Sequence, residues 1–230
     1  MRARPPAQLV ALQVALEYRV TGPGLIKHLP GSTERATVGV YRRKDGHDIF
    51  VNSRLPEEIR IRVLALDPEL AFTRPEEVAS AIGPGRLSRL TFSGEACAFS
   101  HLPSRSSFLK AKIVRAEHLV QIQKEQPELA LSLRASVCRG NVAAGVFECG
   151  RLVSVCESIR ENGAAAEAWV RTLPKRRRTG YAMQAVSSWA VAVMEAGKVP
   201  FYSYELGNAA SKALARKLGL EPFAQLRVFE

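Results

Sequence analysis

The stretch from 164 to 204 constrains the fold more than any other part of the chain. In order it reads AAAEAWVRT, LPKRRRTG, YAMQAVSSWAVAVMEAG and KVPFYSY. The first run, bounded by turn residues and containing branched and aromatic side chains, reads as a strand. In the third, Tyr181, Ala185, Trp189 and Val193 recur every fourth residue beside Ala182, Val186, Ala190 and Met194, the spacing of a helix with one wide buried face. Gly197 is placed to end that helix and Pro200 forbids its continuation, so Val199 to Tyr204 returns as a strand. Any fold for this chain must accommodate strand, basic loop, helix and strand in that order.

The flanking sequence extends the pattern. AAGVFE, a turn at Cys149 and Gly150, RLVSVCESI, a turn at 161 to 163 and AAAEAWVRT read as a three-strand antiparallel meander. Asn162 and Gly163 are expected to supply the positive φ angles of a tight hairpin. A second helix is expected from Asn208 to Leu218, then a last strand near Phe223 to Phe229. Between Ala116 and Val137, apolar spacing predicts helix, and Pro127 divides it into two.

Residues 1–105 read as a smaller α+β lobe, with 106–230 as the main domain and the boundary in HLPSRSS from His101 to Ser107. Strands are expected at Val38 to Arg42 and Asp48 to Val51, and helices at Pro56 to Leu66 and Pro75 to Ile82. GPG at 22–24, KDG at 44–46 and GPG at 83–85 mark loops, and the phrase from Thr91 to Glu95 reads as a hairpin between short strands. The fold class is α/β, with an α+β arrangement on a mixed sheet.

Two classes are set aside by composition. No run of eighteen apolar residues exists to span a bilayer, and the N-terminal segment lacks a secretory cleavage pattern, so a cytoplasmic protein is expected. The cysteines Cys97, Cys138, Cys149 and Cys156 form no CxxC pair, and His101 and His118 are not at zinc-ligand spacing, so reduced thiols and no metal site are expected. The formal charge is +11, with ten basic against five acidic residues from 164 to 230. That field attracts polyanions, and nucleic acid and a phosphorylated cofactor both qualify. Nucleic acid ranks last, because the chain lacks a helix-turn-helix phrase, zinc ligands and the basic and aromatic interleaving of an RRM.

The chemistry concentrates at the strand-to-helix junction. A helix N-terminus offers unpaired N–H groups and a partial positive charge, arginines ahead of it add charge-assisted bonds, and Gly180 lets backbone approach phosphate oxygens. A pyrophosphate fits such a loop, although GxxxxGK[ST] and GxGxxG are both absent. A solvated basic loop is the competing reading.

Arg177, Gly180 and Ala182, spaced as Arg-x-x-Gly-x-Ala, together with NAASKALARKLGL from Asn208 to Leu220, resemble the GNAT N-acetyltransferase superfamily over about residues 140–230. More loosely, the whole chain resembles a bacterial GNAT subgroup in which an extra N-terminal lobe precedes phrases like GRLVSVC. The resemblance implies an acyl-CoA N-acyltransferase fold at the C-terminus, with acetyl-CoA or another acyl-CoA as cofactor and an amine as acceptor. It implies that Trp169, Val170, Arg171 and Thr172 pair with the pantetheine arm, with a backbone N–H near Val170 as oxyanion donor. Arg177, Arg178, Thr179, Gly180, Tyr181 and Ala182 would wrap the pyrophosphate, and Asn208 and Ser211 would lie beside the arm. Asn208 has a rival role as a helix N-cap.

Transfer to an amine needs a base, a polarised thioester carbonyl and a proton for the leaving thiolate. Glu167, ten residues before Arg177 on a strand expected to be buried, is the base candidate; pairing with Arg171 or Arg160 is the structural alternative. The family's usual tyrosine acid has Ala215 at its position, leaving Tyr202, Tyr204, Ser211 or water as substitutes. Arg178 stands where the subgroup tends to have Gly. Cys156 is expected to be inert, and Trp169 and Trp189 to be core or cleft wall. Ala215 supports an alternative, a non-catalytic acyl-CoA-binding module.

Overall fold

The computed structural model describes residues 4–30, 35–83, 89–104 and 110–230. The elements run α1 (Pro6–Val14), β1 (Tyr18–Gly22), β2 (Leu25–His28), β3 (Val38–Arg43), β4 (Gly46–Asn52), α2 (Glu57–Leu64), α3 (Pro68–Thr73), α4 (Pro75–Ile82), β5 (Leu90–Ala98), β6 (Ala111–Ile113), α5 (Ala116–Glu125), α6 (Pro127–Cys138), β7 (Ala143–Glu148), β8 (Arg151–Glu161), β9 (Ala165–Thr172), α7 (Tyr181–Glu195), β10 (Val199–Glu205), α8 (Ala209–Lys217) and β11 (Pro222–Phe229). They fall into two compact units. One takes Ala98–Tyr202 and Ala210–Glu221; the other takes the chain up to Cys97, then Ser203–Ala209 and Pro222–Glu230. A single cut near 105 would therefore assign the last strand differently. Residues 105–107 of the expected boundary, and 84 and 85 of the second GPG, lie outside the described residues.

In the N-terminal unit the strand order is β1-β2-β4-β3-β11-β5. β3 and β4 form a hairpin across the KDG turn, and β11 pairs antiparallel with both β3 and β5. Val38, Val40, Val51 and Phe229 pack with Ile59, Val63, Phe72, Val78 and Ile82 of α2 to α4. Burying such side chains stabilises by about 1.5–3 kcal/mol each relative to exposure, which fixes the strand register.

The hairpin expected at Thr91 to Glu95 does not form. β5 is one continuous strand through Leu90–Ala98, and Gly94, taken as a turn residue, instead permits close approach: a Cβ there would lie 2.5 Å from the carbonyl oxygen of Tyr204. Glycine inside a strand has this second use. α1, β1, β2, α3 and β6 were not anticipated. In α1, Pro6 stands at the favoured first helical position, and Val10, Gln13 and Val14 are buried.

The C-terminal unit orders its strands β10-β9-β8-β7-β6. β6 to β9 are antiparallel neighbours, while β10 runs parallel to β9. Alternation along β8 assigns its two faces. Ser158 accepts the Trp189 indole N–H of α7 at 2.9 Å, whereas the neighbouring Glu157 receives hydroxyls from Ser132 and Ser136 of α6. One sheet face is thus covered by α7 and the opposite one by α5 and α6, whose core joins Leu119, Ile122, Leu129 and Leu133 to Leu152 and Val155.

The two turns of the meander are built differently. Cys149 and Gly150 have φ of 48° and 80°, the paired positive values of a tight two-residue hairpin. Asn162 and Gly163 are not in that region. Their turn is held instead by the Asn162 side-chain oxygen, which accepts the N–H groups of Ala164 and Ala165 at 2.8 and 3.0 Å, an Asx turn.

Candidate functional site

β9 and β10 share only a short ladder. Val199, Pro200 and Phe201 face Ala165, Ala166 and Glu167, while β9 continues to Thr172. Over that continuation β9 pairs with β8, Trp169 opposite Glu157 and Thr172 opposite Ser154. Trp169 and Arg171 are exposed there, and Val170 and Thr172 half-buried. The Thr172 and Ser154 hydroxyls are 2.8 Å apart. Arg171 borders a shallow hollow with Leu129, Leu152, Val155 and Leu173.

Glu167 sits at the level where the ladder ends. Its side chain is 8 % exposed and its Oε2 accepts Arg160 Nη1 at 3.0 Å. Tyr202 follows Phe201, the last paired residue of β10, and is buried. Because Phe201 is level with Glu167, the strand pleat turns Tyr202 and Glu167 to opposite faces of the sheet. Ser211 is half-buried on α8. Ala215, on the same helix, is buried at 1 % exposure, so the position at which the family carries a tyrosine acid is filled by a packed methyl group. Asn208 belongs to the other unit, where its N–H donates to the Glu205 carbonyl at 2.9 Å. Its side chain is exposed.

After β9 the chain makes one 3-10 turn, Pro174–Arg176, and then an exposed arch that leads into α7. Thr179 donates its hydroxyl to the Arg176 carbonyl at 2.7 Å. Two residues are left-handed: Arg178 with φ of 63° and Gly180 with φ of 84°. A non-glycine residue held there costs about 1–2 kcal/mol, so Arg178 is strained where it stands. Among the described residues no side chain caps the N-terminus of α7. A Cβ built on Gly180 meets nothing within 4 Å, so the first turn faces open space with unpaired N–H groups. This arrangement fits a pyrophosphate.

Sequence reasoning missed Glu148 at the end of β7. Its carboxylate accepts the Tyr181 hydroxyl and Arg176 Nε, the latter at 2.5 Å. Those two bonds, the tyrosine's first, hold its carboxyl below the ordinary range. The contact is set by tertiary structure, and nothing near Glu148 in sequence announces it. Glu157, buried between Ser132 and Ser136, was also unforeseen. Cys156 is fully buried, and desolvation, with Glu157 adding to it, pushes its thiol well up. Among the described residues no cluster of three or more His, Cys, Asp or Glu could hold a metal ion, and no helix is long and apolar enough to cross a membrane.

Residues 144–228 match the family described as FR47-like protein. No curated protein matches the chain. An acetyltransferase of the GNAT family from Colwellia psychrerythraea is 12 % identical, covers 99 % of this chain and 97 % of its own, and superposes with a TM-score of 0.54. A GCN5-related N-acetyltransferase-like protein from Streptococcus suis is 19 % identical with a TM-score of 0.46; the match spans 64 % of this chain and 63 % of that one. A GCN5-related N-acetyltransferase from Kribbella flavida is 16 % identical over 71 % of this chain and 76 % of its own, with a TM-score of 0.46. Residues 144–228 thus match an FR47-like domain, and the chain has the fold of the GNAT acetyltransferases.

Proposed function

We propose that this protein binds acyl-CoA, acetyl-CoA first among candidates, and transfers the acyl group directly to a primary amine. The observation that carries the reading is the early end of the β9–β10 ladder, from which β9 runs into an exposed basic arch and an uncapped helix N-terminus. The 177–182 segment would hold the pyrophosphate, and the main chain of 169–172 would hold the pantetheine arm by adding hydrogen bonds along a strand edge. When bound, acyl-CoA supplies the activated thioester.

The chain's own groups then divide the remaining work. A backbone N–H near Val170 polarises the carbonyl oxygen. Glu167 takes the proton of the amine, and its ion pair with Arg160 fixes the carboxylate in place. With Ala215 in place of a tyrosine, and Tyr202 turned to the opposite face of the sheet from Glu167, the proton for the thiolate comes from the Ser211 hydroxyl or from water. A second reading, acyl-CoA binding without turnover, is favoured by Ala215 and by the engagement of Glu167 with Arg160.

The deciding experiment is calorimetric titration with acetyl-CoA and CoA at two salt concentrations, beside Arg177→Ala. An exposed charge-assisted bond to phosphate is worth about 1–2 kcal/mol, so the variant should bind roughly 5- to 30-fold more weakly. Unchanged affinity removes Arg177 from the site, and absence of binding by the unaltered protein overturns the acyltransferase reading.

A further inference from the structure

The basic arch is fastened at both feet to one carboxylate. Glu148 ends β7, and its Oε2 accepts Arg176 Nε while its Oε1 accepts the Tyr181 hydroxyl. Arg176 closes the 3-10 turn and Tyr181 opens α7. Residues 177–180, with both left-handed positions, therefore span two anchors on a single side chain. Glu148 itself has little slack, because it pairs with Arg151 across the tight Cys149–Gly150 turn. Lys110 supports the same corner. Its ammonium lies 5.9 Å from the centre of the Tyr181 ring, and its N–H donates to Gln184 Oε1 at 3.1 Å.

Such an arch pays for its geometry unless something fixes it. Arg178 is strained where it stands, so an unfastened chain would leave that conformation, and a ligand would have to restore it. Ordering loop residues on binding costs affinity. The fastening carboxylate also carries a negative charge beside an anion site, but Arg176 offsets it directly, and Arg177 and Arg178 remain exposed on the arch.

We propose that Glu148 is a positioning residue that clasps Arg176 to Tyr181 and holds the 177–180 arch in its phosphate-binding form before the cofactor arrives. The clasp stands on geometry alone; its purpose rests on the acyl-CoA reading above, so the test separates the two. Glu148→Gln, Tyr181→Phe and the double variant are digested briefly with trypsin without cofactor, and cuts after Lys175, Arg176, Arg177 and Arg178 are timed by mass spectrometry. CoA is then titrated calorimetrically, and melting is followed by circular dichroism.

Glu148→Gln should be cut in the arch at least fivefold faster, with other sites and the melting midpoint unchanged, and should bind CoA about three- to tenfold more weakly. The double variant should behave like Glu148→Gln alone, since the two groups act as one clasp. Cleavage of the arch at the unaltered rate overturns the proposal. A general rise in cleavage with a lowered melting point also overturns it, making Glu148 an ordinary structural residue. Tighter CoA binding by the variant overturns it in the opposite sense, with the carboxylate competing against phosphate. Faster arch cleavage in a protein that binds no CoA leaves the clasp in place and removes the cofactor reading.

Discussion

Replacing Gly94 by alanine should damage the N-terminal unit far more than one methyl group suggests. The added Cβ would lie 2.4 and 2.5 Å from Cε1 and Cζ of Phe92, and 2.5 Å from the carbonyl oxygen of Tyr204. The ring can turn away, but the carbonyl is backbone. Restoring an ordinary contact of 3.4 Å requires a displacement of about 0.9 Å. Neither side can yield easily, because Gly94 is paired with Leu226 of β11 and the Tyr204 hydroxyl is bonded to Glu95. Overpacking of this kind costs about 1–3 kcal/mol, and a backbone clash belongs at the upper end, about 2–3 kcal/mol. At about 2–4 °C per kcal/mol for a chain of this length, the melting midpoint should fall by roughly 5–10 °C. Thermal unfolding followed by circular dichroism measures it, with Gly207→Ala as the control. A Cβ at Gly207 meets nothing within 4 Å and its φ lies outside the left-handed region, so that change should be neutral or slightly stabilising. If Gly94→Ala melts within about 1 °C of the unaltered protein, the close-approach argument fails.

Two further outcomes test the chemistry. Glu167→Gln should lower turnover about 100-fold or more in a thiol-release assay with a panel of primary amines, while CoA affinity holds and stability falls by only about 1–2 kcal/mol, since the amide keeps a neutral hydrogen bond to Arg160; turnover within about threefold removes the base assignment. A disulfide reagent at pH 8 should modify exposed Cys138 and Cys149 quickly, and buried Cys97 and Cys156 only in denaturant. Because burial raises the Cys156 thiol above its ordinary 9.0, keeping it neutral contributes stability that is full below that value and is lost as pH climbs past it. Early modification of Cys156 would contradict its burial.

The second half of the fold was legible because its signals are local and repeated. The fourfold spacing from Tyr181 to Val193, Gly197 after it, and Pro127 between α5 and α6 each act on their own neighbours. Gly94 misled because a glycine signals both a turn and a close neighbour, and only the strand beside it decides which. The Asn162 turn was located correctly but by the wrong device, side-chain acceptance in place of positive φ. The succession of strand, basic loop and helix that carries Arg177 to Ala182 could be read from sequence. Glu148 could not, since its bonds to Arg176 and Tyr181 span 28 and 33 residues. The ion pair of Glu167 with Arg160 lay between, foreseen as one of two pairings and selected by the register of β8 against β9.

The place of β11 has a consequence for how the chain is made. This strand lies between β3 and β5 in the N-terminal unit, and the Phe229 carbonyl accepts both the N–H and the hydroxyl of Thr37, 192 residues earlier. During synthesis β3 and β5 emerge long before the strand that separates them, and each exposes an edge able to pair wrongly. Closing so long a loop is entropically slow. The N-terminal unit, though translated first, therefore cannot complete its sheet until β11 has been made, and loss of that strand should disable the lobe.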